Sequence, residues 1–314
     1  MASIAAPPIA SLIVRGRPVE PMAESEVLWT RHGHSPFMWW PAWAPDGARL
    51  ATAGMRAPTV VQLLDGDTGE EVARLKGHEK HVNCCAWRPD GKLLATAGGE
   101  GAVIVRGPRG GIKASHQLFH DQAESADFSP DGKMLAVSAR DGTVLVIEPE
   151  TAEVLWSWAP GPTVLRVAWR PYGGHMAVAR QDSRARIIRP GGQEDVLLVH
   201  RGPVSCVAWS PDGARLATAS ADGSVREWAL DGTMLAMHAS LGREAASTVA
   251  YSPFGTRLAA AFFDGRVRVW TEGREQAVDP KGHGPAVAVA WRPGRDAQLL
   301  IGRSKGELKL LELG

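Results

Sequence analysis

Several side chains in this 314-residue chain have the chemistry of a functional site. His78-Glu79-Lys80-His81 offers two imidazoles and a carboxylate. A His-Glu-x-x-His zinc motif needs its histidines four apart on one helical face. Here they are three apart and precede a β-rich run, so a structural role is expected for His78. Cys84 and Cys85 are adjacent, which gives neither zinc-site nor redox-pair spacing. On a strand their side chains point to opposite faces, and packing is their expected role. Gly98-Gly99-Glu100-Gly101 and Gly107-Pro108-Arg109-Gly110-Gly111 lack the Lys-Ser/Thr of a phosphate loop and read as hairpin turns. No metal, cofactor or catalytic residue is expected from these patterns. A Ser-His-Asp triad stays open, because geometry defines it.

Three further groups suggest binding rather than catalysis. Arg180, Arg184, Arg186 and Arg189 form a basic stretch, but Asp182 and Glu194-Asp195 lie close by. A partly neutralised, solvated surface is expected there, with an acidic partner as the sharper alternative. Trp156 and Trp158 share one face of a strand, so they are read as buried, with a side patch as the alternative. Phe37-Met38-Trp39-Trp40 concentrates aromatic side chains in four residues.

These groups are positioned by a repeat. An aromatic residue followed two positions later by proline recurs at Trp43/Pro45, Trp87/Pro89, Phe128/Pro130, Trp169/Pro171, Trp209/Pro211, Tyr251/Pro253 and Trp291/Pro293. Successive prolines are 44, 41, 41, 40, 42 and 40 residues apart. In the fifth copy VSCVAWS (204–210) is a β-rich run, closed by Pro211-Asp212-Gly213. RLATAS (215–220), SVREWAL (224–230) and TMLAMHA (233–239) follow, separated by Asp-Gly turns. Four short strands per repeat, seven times over, predict an all-β, seven-bladed propeller. Before the first repeat, EVLWTRH (26–32) has the character of a fourth strand, and the chain stops after a third, ELKLLEL (307–313). Residues 26–32 are therefore expected to complete the seventh blade and remove its open edge. This divides the chain into a partly flexible extension, 1–24, and a propeller, 25–314.

The repeats resemble those of WD-repeat (WD40) proteins. Gly33-His34, Gly77-His78 and Gly282-His283 match the Gly-His element; Asp141-Gly142, Asp222-Gly223 and Asp264-Gly265 match the second turn. Trp228 and Trp270 match the third-strand tryptophan, although Ala229 and Thr271 replace the aspartate after it. The resemblance implies a hydrogen-bonded set within a blade, best represented by His200, Thr218 or Ser220, Asp222 and Trp228. Blade two has Glu100 and blade seven Lys305 at the aspartate position, so these blades are expected to rely more on packing. The resemblance also implies a non-catalytic protein- or peptide-binding scaffold that uses the loop face of the ring. The alternative is an enzyme or small-molecule sensor at the channel mouth, lined by His81, Glu124 and Trp39.

Aligned on the repeat aromatic, Trp39 stands where other copies have Asn83, Glu124, Leu165, Ser205, Ser247 and Val287. Trp40 stands where they have Cys84, Ser125, Arg166, Cys206, Thr248 and Ala288. Two tryptophans here either plug the channel or anchor a partner. The expected binding face is Phe37, Trp39, Trp40, His81, Asn83, Gln122 and Glu124.

Thirty-five basic and 34 acidic residues give a net charge of +1, without the basic excess of a nucleic-acid binder. No apolar run approaches the roughly 20 residues of a membrane span. The amino-terminal segment lacks a basic start and is interrupted by Pro7 and Pro8, unlike a secretory signal. Three cysteines form no disulfide framework, so a cytoplasmic setting is expected. The excess of arginine and alanine suggests a GC-rich, bacterial genome.

Overall fold

The turn after each first strand shows how the sequence sets the local structure. In Pro211-Asp212-Gly213, proline presets φ, Asp212 accepts the Ala214 amide at 2.9 Å, and Gly213 takes the left-handed region at φ 66°. Asp46, Asp90 and Asp131 accept the equivalent amides of Ala48, Lys92 and Lys133. Tyr172 and Phe254 replace this aspartate. The Phe254 amide is instead accepted by Asp296, from the next blade, at 2.9 Å.

The computed structural model describes residues 25–32, 40–54, 60–159, 161–239, 244–279 and 284–314. Among them are 28 strands and no helix, arranged in seven antiparallel four-stranded sheets. Six blades use four consecutive strands; the second, for example, comprises Val82–Trp87, Leu94–Gly98, Ala102–Arg106 and Ile112–Gln117. The seventh takes Ala286–Trp291, Gln298–Arg303 and Leu308–Glu312, and its fourth strand is Glu26–Arg31 from the other end of the chain. Trp29 on that strand is buried and donates to the Gly66 carbonyl at 3.2 Å, while Arg31 bonds the Gly69 carbonyl at 3.2 Å. The closing strand thereby ties blade seven to blade one.

The core consists of seven apolar clusters, one at each interface between neighbouring blades. The repeat aromatic lies at these interfaces for both packing and polar reasons. Trp87, Trp209 and Trp291 each donate the indole N–H to a first-strand carbonyl of the preceding blade: Ala42, Ala168 and Ala250, at 3.0–3.1 Å. Trp156 and Trp158 are half-buried against the interface of blades three and four. Cys85 packs between blades one and two, Cys84 between two and three.

Candidate functional site

The fifth blade assembles its polar set around one hydroxyl. His200 Nδ1 lies 3.3 Å from Asp222 Oδ2, and His200 Nε2 lies 2.8 Å from Thr218 Oγ1. The Trp228 indole donates to the same Oγ1 at 2.9 Å. An ionised carboxylate only accepts, so Nδ1 carries the proton and Thr218 donates to Nε2. Burial, together with the Arg226 charge, lowers the His200 pKa to about 4 against the pull of Asp222. Asp222 is held at about 2: burial opposes this, but the Ser224 hydroxyl and the Arg201 and Ser224 amides outweigh it. Ser220 takes a separate role, donating to the Gly202 carbonyl at 2.9 Å.

Blade two corrects one expectation. Glu100 does not leave the set incomplete: its longer side chain reaches His78 Nδ1 and accepts the Lys80 amide at 3.1 Å, while His78 Nε2 meets Thr96 at 2.8 Å. The missing member is the indole, since Arg106 pairs with Leu94 where Trp228 pairs with Leu216. Arg106 is buried and donates to the Lys76 carbonyl at 2.8 Å. In blade seven, Arg303 is fully buried and binds the Gly284 carbonyl and the Asp279 carboxylate, each at 2.8 Å.

At the channel mouth, blades two and three are joined by side chains. His81 Nε2 lies 3.1 Å from Gln122 Oε1, and a Cβ on Gly99 would fall 2.4 Å from the His81 ring, so a larger residue there would displace the ring. Glu124, two residues beyond Gln122, is half-buried; burial raises its pKa, Arg140 opposes the shift and Asp121 adds to it. Asn83, expected at the binding face, has its amide turned to the next blade. It is buried and donates to the Ala123 carbonyl of the next blade at 3.0 Å. Ser205 and Ser247 do the same to Ala246 and Ala286, at 2.7 and 2.9 Å. Register shifts at this position in blades two to seven mark a β-bulge, and in blades two, five and six the extra residue bonds the neighbouring blade. Phe37 and Trp39, with Gly33-His34 and Gly282-His283, lie outside the described residues.

Trp40 packs against both the cluster between blades two and three and the cluster between five and six. It therefore spans the channel as a plug. The Arg166 guanidinium carbon sits 4.2 Å from its ring centroid.

The basic stretch of blade four is partly neutralised: Arg180 and Arg184 share Asp182 at 2.8 and 3.1 Å, and Arg186 pairs with Glu194. The expectation that the chain has no Gly-x-Ser-x-Gly pattern is corrected by Gly302-Arg303-Ser304-Lys305-Gly306, which has the spacing of a nucleophile elbow. This segment forms a hairpin turn between two strands, whereas an elbow joins strand to helix. Among the described residues, no group of three or more His, Cys, Asp and Glu side chains could hold a metal ion. Sequence reading passed over the pairing of His81 with Gln122; its only signal was that both stand six residues before the repeat aromatic.

Four segments, 69–105, 115–148, 192–229 and 238–271, match the family described as WD domain, G-beta repeat. The chain is also 36% identical over 84 residues to the probable cytosolic iron-sulfur protein assembly protein 1 of Kluyveromyces lactis. That alignment spans 22% of this chain and 24% of the yeast protein.

Proposed function

Because the chain belongs to the WD-repeat family of β-propellers, we propose that it is a non-catalytic platform that holds a protein or peptide segment at the channel mouth. The observation that carries this reading is the rim of blades two and three, where His81 meets Gln122 and Glu124 stands two residues further on, with Trp40 packed against clusters on opposite sides of the ring. A plugged channel gives a segment a floor to lie on, and polar side chains from adjacent blades give it register. Phe37 and Trp39 precede the plug in sequence and are proposed as aromatic anchors, a residue class enriched in binding hot spots. The yeast relative named for iron-sulfur protein assembly supports the same class of role, and its short overlap carries no cluster chemistry to this chain. The proposed setting is the cytoplasm, without nucleic acid or membrane as partner.

The test is capture with the tagged, full chain from its own host, beside a His81→Ala/Glu124→Ala double variant and Lys133→Ala on the opposite turn. A stoichiometric protein retained by the parent and by Lys133→Ala, but lost by the double variant, is expected. Retention by all three would place the site elsewhere, and recovery of only a small molecule would favour the sensor reading.

A further inference from the structure

Two rings of first-strand side chains show where the channel departs from sevenfold repetition. One residue before the repeat aromatic stand Ala42, Ala86, Asp127, Ala168, Ala208, Ala250 and Ala290. Three residues before it, one copy has Arg166 and another Trp40, where the rest have cysteine, serine, threonine or alanine. Arg166 is the one cation in these rings. Its Nη1 donates to Cys84 Sγ at 3.4 Å, and a thiol is a weak acceptor. Its Nε is buried with no hydrogen-bond acceptor, and among the described residues no carboxylate makes an ion pair with it. Asp127 acts on it through space, but Asp127 Oδ2 already accepts the Trp169 amide at 2.7 Å.

A guanidinium presents a planar fork that matches a carboxylate, and leaving such donors underpartnered away from bulk water is unfavourable. Filling the channel does not require a charge, since Trp40 already spans it. Stacking on Trp40 holds the cation in place, and Arg166 as a whole stays partly exposed, which gives a ligand access to it. We propose that Arg166, held against Trp40, is a carboxylate-binding site in the channel that takes the acidic side chain of a segment bound at the mouth. This rests on the platform reading and specifies its partner as an acidic segment.

The experiment follows the Arg166 Nε–Hε resonance of the full-length, 15N-labelled protein. The probes are glutarate and a capped pentapeptide with one central glutamate, at constant ionic strength, with glutaramide and the glutamine pentapeptide as uncharged matches. Saturable shifts with both acidic probes and none with the amides are expected, with at least tenfold weaker binding of both, read by calorimetry, in Arg166→Gln. Equal responses to acids and amides, or unchanged affinity in Arg166→Gln, would overturn the site. Saturation by glutarate but not by the acidic peptide would overturn the side-chain source. Should Arg166→Gln not fold, the acid–amide contrast in the parent decides alone, and Arg166→Lys, which keeps the charge without the fork, is expected to bind more weakly. The platform reading fails separately, if mouth substitutions leave partner capture unchanged while glutarate still binds.

Discussion

Thr218 is the residue on which the polar set of blade five converges. Its hydroxyl meets both His200 Nε2 and the Trp228 indole, and all three side chains are buried. Thr218→Val keeps the shape and leaves two buried polar groups without partners, each costing about 1–3 kcal/mol. Urea denaturation should therefore show a loss of about 3 kcal/mol. Ser220→Ala, which removes one hydroxyl bond to a carbonyl, should lose about 1 kcal/mol. Equal effects would mean that the indole and imidazole find other partners. The same set makes stability depend on pH. The His200 pKa of about 4 lies below its unfolded value of about 6.5, so the unfolded chain binds the proton first. Its contribution is complete above pH 6.5 and is lost as pH falls toward 4, on the order of 3 kcal/mol. Asp222, held at about 2, adds a second loss between about pH 4 and 2. His200→Gln should be less stable at pH 7 but lose less between pH 6.5 and 4; a parallel pH profile would remove His200 as the cause.

At the scale of the element, the closing strand Glu26–Arg31 differs from the other outer strands in not following the third strand of its blade along the chain, and pairing, Trp29 and Arg31 hold it in place. Trp29 packs with Trp43, Leu50, Leu64, Leu300, Leu308 and Leu310 across the seam between blades seven and one. Trp29→Ala should cost about 3–5 kcal/mol, as expected for truncating a large buried aromatic. Val27→Ala on the exposed side of the same strand should change stability by less than about 0.5 kcal/mol. Comparable midpoints for the two variants in thermal melts would contradict closure through this seam. The strand was legible in sequence because its pattern is that of a fourth strand standing before any first. The blades were equally legible, since the aromatic and proline fix the end of one strand and the turn after it. Two features were not. Asn83 reads as a mouth residue when alternation is counted back from Trp87, but the bulge adds a residue and turns it toward blade three. Glu100 reads as a lost aspartate, although one further methylene still spans the distance to His78.

At the scale of the whole molecule, the ring has small channel residues nearly throughout and concentrates its departures in a few side chains. Trp40 plugs the channel, Arg166 rests against it, and His81 meets Gln122 across the rim of blades two and three. The opposite face has a cavity of about 720 Å³ between the turns of the same two blades, lined by Arg88, Asp131, Lys133 and Glu148. The two faces of the ring are thus the two candidate platforms, and the opposite one has its own departures, with Tyr172 and Phe254 exposed at the turn position where other blades have aspartate. The direct measurement is a calorimetric titration of the captured partner into the parent, His81→Ala/Glu124→Ala and Lys133→Ala, each first shown to melt like the parent. Binding at the mouth predicts at least a tenfold weaker Kd for the double variant, about 1.4 kcal/mol, and an unchanged Kd for Lys133→Ala. A parent-like Kd for the double variant, with weakened binding by Lys133→Ala, would contradict the account and move the platform to the opposite face.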